Sequence, residues 1–188
     1  YFALSAYLFW GVVPIYFMLI GHVGPLEIVS HRIIWSVVLL ILILCYMRRL
    51  DVLVLPRQHW WKVGCSALLL SLNWLIFVYA ILDNRIVEAS LGYFINPLVS
   101  VFLGMVFLGE RLRPLQWIAI SIAAAGILFQ LVWYGKVPAI ALGIAVSFGV
   151  YGLMRKNLGL HSVGGLALET IILAPVALVY LGWQFQAG

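Results

Sequence analysis

The stretch from Ala89 to Gly109 runs for 21 residues without a charge, and near its middle stand Gly92-Tyr93-Phe94-Ile95-Asn96-Pro97. A helix needs about 20 predominantly apolar residues to cross the hydrocarbon of a bilayer. No water satisfies free peptide groups there, so only a helix or a closed barrel can cross. A proline inside a helix leaves the carbonyl four residues earlier without its donor, here that of Tyr93. Asn96 adds an amide on the same face, three residues from the Tyr93 phenol. An asparagine and a broken ladder are costly in a helix that only anchors a protein. They suit a helix that borders a polar space. The charged turn Gly109-Glu110-Arg111-Leu112 closes the segment.

The rest of the chain repeats this pattern. Seven segments meet the spanning criterion: Tyr1–Gly21, Ile28–Met47, Gly64–Leu82, Ala89–Gly109, Leu115–Tyr134, Val137–Met154 and Val163–Trp183. Only the second, with Arg32, and the seventh, with Glu169, contain a charge. The alternation expected of a membrane barrel is absent. With 65% hydrophobic and 9% charged residues, and a mean hydropathy of +1.14, the chain reads as an all-α polytopic membrane protein. The net charge of +5 therefore reflects basic loops on one side of a membrane, not contact with nucleic acid. Cys45 and Cys65 read as packing thiols without a disulfide framework. The chain opens in an apolar run without Met or a basic leader. This reads as a fragment whose native chain begins earlier.

Lysine and arginine orient the helices. One set of alternate ends holds Arg48, Arg49, Arg57, Lys62, Arg111, Arg113, Arg155 and Lys156; the other holds Arg32, Arg85 and Lys136. The first set is expected in the cytoplasm, and the N-terminus with it. A faint repeat relates Ala3-Leu4 and Trp10-Gly11-Val12 to Ala141-Leu142 and Phe148-Gly149-Val150 at an offset of 138, and Glu27 to Glu169 at 142. Five spans separate the two starts, so the second copy enters from the opposite side, the inverted repeat common in secondary transporters. This divides the chain into a first five-helix unit, residues 1–134, and the start of a second, residues 135–188.

Candidate site residues follow from polar groups inside the spans. Arg32 lies four residues inside its span. It reads either as an arginine reaching back to the interface or as a cation facing a cavity, with Trp35 on its face. Asn73 reads as interhelix glue or as a pathway residue. Tyr93 and Asn96 share the face that Pro97 opens. Pro14 and Pro175 repeat the device, freeing the carbonyls of Trp10 and Ile171; with Pro97 they are candidate hinges. Glu169 is the one carboxylate inside a span, either a hydrogen-bonded acid or a solute or proton site. Glu110 reads as an ion-pair turn with Arg111 and Arg113. The stripe Ala119, Ala123-Ala124-Ala125-Gly126 lets another backbone approach. The histidines have no metal-ligand spacing, and no nucleophile elbow or phosphate loop is present.

The strings VSHRIIWS, LNWLIFVYA, EASLGYFINPL, LGERL followed by QWIAISIAAAGIL, and LALETIILAPVALVYL together resemble the RarD family of permeases, in the EamA group of the drug/metabolite transporter superfamily. The resemblance covers essentially the whole chain. It implies ten helices in two inverted five-helix repeats, of which seven are expected here. It also implies a bacterial inner membrane and a central cavity with alternating access. Phe77 and Tyr79 depart from the tyrosine and tryptophan common in that family. The reading is a secondary transporter, an exporter, of small organic metabolites or drugs. Its solute site would comprise Trp10, Arg32, Trp35, Asn73, Tyr93, Asn96 and Glu169. Its partners would be a small-molecule substrate, the lipid bilayer and a homodimer mate, with no cofactor or metal. The rival readings are a membrane scaffold subunit and a membrane-embedded enzyme.

Overall fold

The computed structural model describes residues 2–135 and 137–187. Tyr1, Lys136 and Gly188 figure in the expected first span, the basic-residue asymmetry and the second repeat, and lie outside the described residues. The described chain is helical, with no strand: α1 Phe2–Leu19, α2 Pro25–Tyr46, α3 Trp60–Leu82, α4 Ile86–Leu108, α5 Pro114–Tyr134, α6 Ala139–Leu158 and α7 Ser162–Ala187. The link between α2 and α3 contains two 3-10 turns, Leu50–Leu53 and Arg57–His59.

Each of the seven expected segments falls on a helix. Six of the helices, α2 to α7, are long and apolar enough to cross a membrane. Within the described residues the apolar part of α1 is Leu4–Leu19, with Pro14 inside it. The expected ten-helix plan goes beyond these seven helices, which neither complete it nor display its second repeat.

Local chemistry sets the helix ends. Pro25 and Pro114 occupy first-turn positions, where a missing N–H costs nothing. The Arg113 N–H donates to Gln116 Oε1 at 2.8 Å, tying the start of α5. At the end of α4, Gly109 takes φ 66° and the Glu110 N–H donates back to the Gly104 carbonyl at 3.2 Å. Only glycine adopts that left-handed turn without strain.

α3 is the hub of the packing. It touches α1, α2, α4, α6 and α7, and its Val63, Val78 and Ala80 are wholly enclosed. The most extensive pairings are α4 with α6 and α2 with α7. Glycine permits the first. A Cβ on Gly92 of α4 would meet the Ala141 carbonyl at 2.9 Å, and one on Gly149 of α6 would meet Val99 Cγ1 at 2.8 Å. Lipid gives helices no hydrophobic reason to associate, so such close backbone approach supplies the attraction. α5 has no buried residue and touches α4 at one edge. In its small-residue stripe Ala124 is half-buried, and Ile127 and Leu131 beyond it pack against α4 and α6. Cys45 and Cys65 are exposed rather than packed inside.

The short links make the helices alternate. The ends carrying Arg48, Arg49, Lys62, Arg111, Arg113, Arg155 and Lys156 form one end of the bundle, called the basic end below. At that end Lys156 of α6 pairs with Glu110 beyond α4, and Val52 packs over Gly164 of α7.

Candidate functional site

Polar groups inside the bundle occupy two layers. The first surrounds Arg32, the eighth residue of α2, about 10 Å along the helix from its start. Its guanidinium carbon sits 3.7 Å from the centroid of the Trp74 ring. Trp74 is the centre of an aromatic group drawn from three helices. It lies 5.5 Å from Trp10 of α1, tilted at 35°, 6.5 Å from Phe17 of α1 and 5.8 Å from Phe77, edge-on at 84°. Phe77 in turn meets Tyr93 of α4 at 5.7 Å and 78°. Edge-to-face contacts set the positive ring edge against a negative ring face, which fixes ring orientation as well as filling space.

Phe17 and Phe77 are buried, whereas Trp10 and Tyr93 are 45% and 40% exposed. The group is therefore a cage with a closed back and an open front, Trp10 and Tyr93 being the two jambs. Prolines 14 and 97 free the carbonyls of these same two residues by the helix rule, although both helices run continuously past them. Within the cage the Arg32 Nε has no hydrogen-bond partner.

The second layer lies toward the basic end, around Glu169 of α7, which is 1% exposed. Ser66 of α3 donates to Glu169 Oε1 at 2.7 Å, and Tyr151 of α6 donates to Oε2 at 3.3 Å. The Arg155 Nη1 stands 3.5 Å from Oε1, while its Nη2 donates to the Ser162 carbonyl at 3.2 Å. The guanidinium lies directly against Gly165, where a side chain would collide with it. One carboxylate thus ties α3, α6 and α7 at their basic ends. Removing one member of such a buried pair leaves the other uncompensated.

The expected site residues divide between and beyond these layers. Trp10, Arg32 and Tyr93 meet in the cage. Trp35, expected on the face of the arginine, is 67% exposed on the outside of α2; the indole over Arg32 is that of Trp74. The Asn73 amide donates to the Ile144 carbonyl at 2.9 Å and to Ser147 Oγ at 3.0 Å, tying α3 to α6. Asn96 is partly exposed and accepts from Ser100 Oγ at 3.3 Å, one turn along α4. Glu169 belongs to the other layer. Pro175 is exposed on α7.

Several members were not selected from the sequence. Phe17, Tyr151, Ser66 and Arg155 carry common residue types, and in the linear chain Arg155 reads only as a loop charge. Arg155 and Glu169 do lie 14 residues apart across the α6–α7 link. That spacing places both near the same end, the one available signal. Glu27 and Glu169, related by the sequence offset, are not equivalent in position. Glu27 is the third residue of α2, Glu169 the eighth of α7, and the residue at the matching step of α2 is Arg32. The partner of Glu110 is Lys156 rather than Arg111 or Arg113.

A hollow of about 600 Å3 lies away from both layers. It is an open apolar groove between Pro25, Leu75, Ile76, Tyr79, Ile140 and Tyr180. No charged side chain lines it, so the candidate site remains the cage. Among the described residues no group of acidic, histidine or cysteine side chains could hold a metal ion.

Comparison with known proteins agrees with this architecture. The EamA-like transporter family matches residues 1–132. An "Uncharacterized transporter" of Vibrio cholerae is 50% identical over 185 residues, covering 96% of this chain and 61% of the relative. "Protein RarD" of Escherichia coli is 46% identical over 182 residues, 95% of this chain and 62% of the relative. "Chloramphenicol-sensitive protein RarD" of Pseudomonas aeruginosa is 33% identical over 191 residues, 96% and 63%. The chain thus spans about three-fifths of the length of these relatives. No solved structure matches.

Proposed function

The chain belongs to the EamA-like transporter family, in its RarD branch, and from that premise we propose that it serves as a secondary permease exporting a small organic metabolite or drug by alternating access. The membrane is a bacterial inner membrane, with the basic end and the N-terminus in the cytoplasm, as the excess of arginine and lysine at that end supports.

The observation that carries this reading is the pair of polar layers. Arg32 and Glu169 stand at the same eighth step of α2 and α7, and these helices enter from opposite ends. One layer is an open aromatic cage and the other a closed knot of hydrogen bonds and an ion pair. Alternating access requires such a pair of barriers around one site, one shut while the other admits solute. A scaffold has no use for a buried charge at either depth, since each is costly in lipid.

In this reading Trp10, Arg32 and Tyr93, with Trp74 and Phe77, contact the solute. Asn96 extends the polar face of α4. Glu169 with Arg155, Tyr151 and Ser66 forms the barrier on the basic side. Asn73 holds α3 to α6 behind the cage, and Pro14, Pro97 and Pro175 are the points about which helices bend.

The test is uptake into vesicles containing the full-length protein, with a solute mixture read by mass spectrometry. Solutes accumulating above protein-free vesicles are then followed in Arg32→Gln, Asn96→Ala and Glu169→Gln. Absence of any accumulated solute sinks the permease reading. Wild-type rates in all three variants would remove the site assignment and leave the permease.

A further inference from the structure

Each carboxylate among the described residues has a polar partner, whereas the one arginine set within α2 has no ion-pair partner. Asp51 pairs with Arg49 at 3.3 Å and Glu88 with Arg85 at 2.5 Å. Asp83 lies 4.0 Å from the same Arg85. Glu169 has Arg155 and Glu110 has Lys156. Glu27 accepts from Gln184 at 3.1 Å. Among the described residues these are the six carboxylates, and none of them pairs with Arg32. Two phenols belong to the layers, Tyr93 of α4 in the cage and Tyr151 of α6 near the basic end. Tyr151 already donates to Glu169. The Tyr93 hydroxyl makes no hydrogen bond among the described residues. Arg32 and Tyr93 are therefore two unmatched donors on one side of an aromatic cage.

Resting on the permease reading above, we propose that the solute of the cage is an organic monoanion, a carboxylate carried on a planar apolar body. The guanidinium is a planar fork of donors that fits two carboxylate oxygens while its face stays stacked on an indole. Trp74 supplies that indole. Tyr93 adds a third donor from the jamb of the cage, and Trp10 offers an exposed ring to the planar body.

The charge count narrows the class in both directions. An organic cation would meet Arg32 with no carboxylate to compensate, in a medium that screens little. A dianion would need a second cation, and the described residues of the cage supply one. A neutral solute would leave the guanidinium without a counter-charge inside the span, the costly arrangement that intramembrane charges otherwise avoid by pairing.

The test is direct binding to the full-length protein in lipid nanodiscs, with three nitroaromatic probes of nearly equal shape: 4-nitrobenzoate, 4-nitrobenzamide and 4-nitrobenzylamine. The readouts are quenching of tryptophan emission and the shift in thermal unfolding. The benzoate is expected to bind at least roughly tenfold more tightly than the amide, the size of one charge-assisted hydrogen bond. The amine is expected not to bind. Arg32→Gln should erase the preference for the anion. Arg32→Lys, folded and charged but without the planar fork, should retain it in weakened form. Trp74→Phe should reduce quenching while the benzoate still raises the unfolding temperature.

Equal binding of amide and benzoate overturns the inference. So does a lack of binding by the benzoate, or an anion preference that survives Arg32→Gln. None of these outcomes touches the permease reading, which the vesicle experiment decides with solutes of any charge.

Discussion

At the scale of single residues, the two intramembrane charges behave differently because their neighbours differ. Arg32 stacks on Trp74 and leaves its Nε without a partner, whereas Glu169 has a partner on each oxygen. A group whose bonds are complete holds structure; one whose bonds are incomplete is available to a ligand. Two predictions follow that contrast. Arg32→Gln should leave the unfolding temperature nearly unchanged and abolish solute-dependent transport, whereas Trp35→Ala, on the outer face, should leave transport near wild type. Vesicle rates beside thermal melts decide both. Glu169→Ala should cost about 3 kcal/mol by stranding Arg155. Glu169→Met combined with Arg155→Met should recover most of that loss, since an apolar pair of similar size leaves no uncompensated charge. A double-mutant cycle in denaturing detergent, read by helicity, measures it; additive losses would mean the ion pair is not coupled.

At the scale of helices, glycine decides which pairs can close. α4 and α6 meet where Gly92 and Gly149 remove side chains from the contact. Gly149→Leu should push α6 off Val99 and Leu103, lower the melting temperature, and lower transport further than Gly152→Leu, where nothing stands within 4 Å. Prolines act on the other element property, the hydrogen-bond ladder. Pro97→Ala restores the donor to the Tyr93 carbonyl. It should stiffen α4 and slow transport while raising stability, and a slower rate without higher stability would mean the proline serves packing rather than bending. The turn after α4 is local in origin, because Gly109 is left-handed and Glu110 folds back over Gly104. Its function is longer in range, because the same Glu110 holds Lys156 at the end of α6.

At the scale of the whole molecule, α3 is the axis on which both layers depend. One face carries Trp74 and Phe77 into the cage, another carries Ser66 to Glu169, and Asn73 fastens the helix to α6. Asn73→Ala should destabilise the bundle by about 1 kcal/mol, the usual worth of an interhelix hydrogen bond in a membrane, and should lower transport no more than its loss of folded protein explains. If α4 and α6 separate at the basic end during the cycle, joining them there should stop it. Cysteines at positions 110 and 156, bridged by a short bifunctional maleimide, are expected to arrest transport reversibly when the bridge is cleavable. Transport unaffected by the bridge would exclude movement between these two ends.

The helical membrane class, the position of every helix within a few residues and the polar residues inside the spans were legible in the linear chain, because each depends on local composition. A run of about 20 apolar residues has one stable form in lipid, and a glycine or proline at its end acts on adjacent peptide groups. Arg32, Tyr93 and Trp10 could be singled out because a charge, or a side chain beside a missing hydrogen bond, is conspicuous in such a run. Which of the polar residues meet was not legible. Trp35 and Trp74 are both tryptophans within reach of an arginine, and Asn73 and Glu169 are both polar groups in spans. Their fates depend on helix rotation and crossing, set by contacts such as Gly92 against Ala141 that join positions far apart in sequence. Tertiary packing alone therefore placed Trp74 rather than Trp35 over Arg32, gave Asn73 to α6, and left the Arg32 guanidinium as the one unmatched charge of the cage.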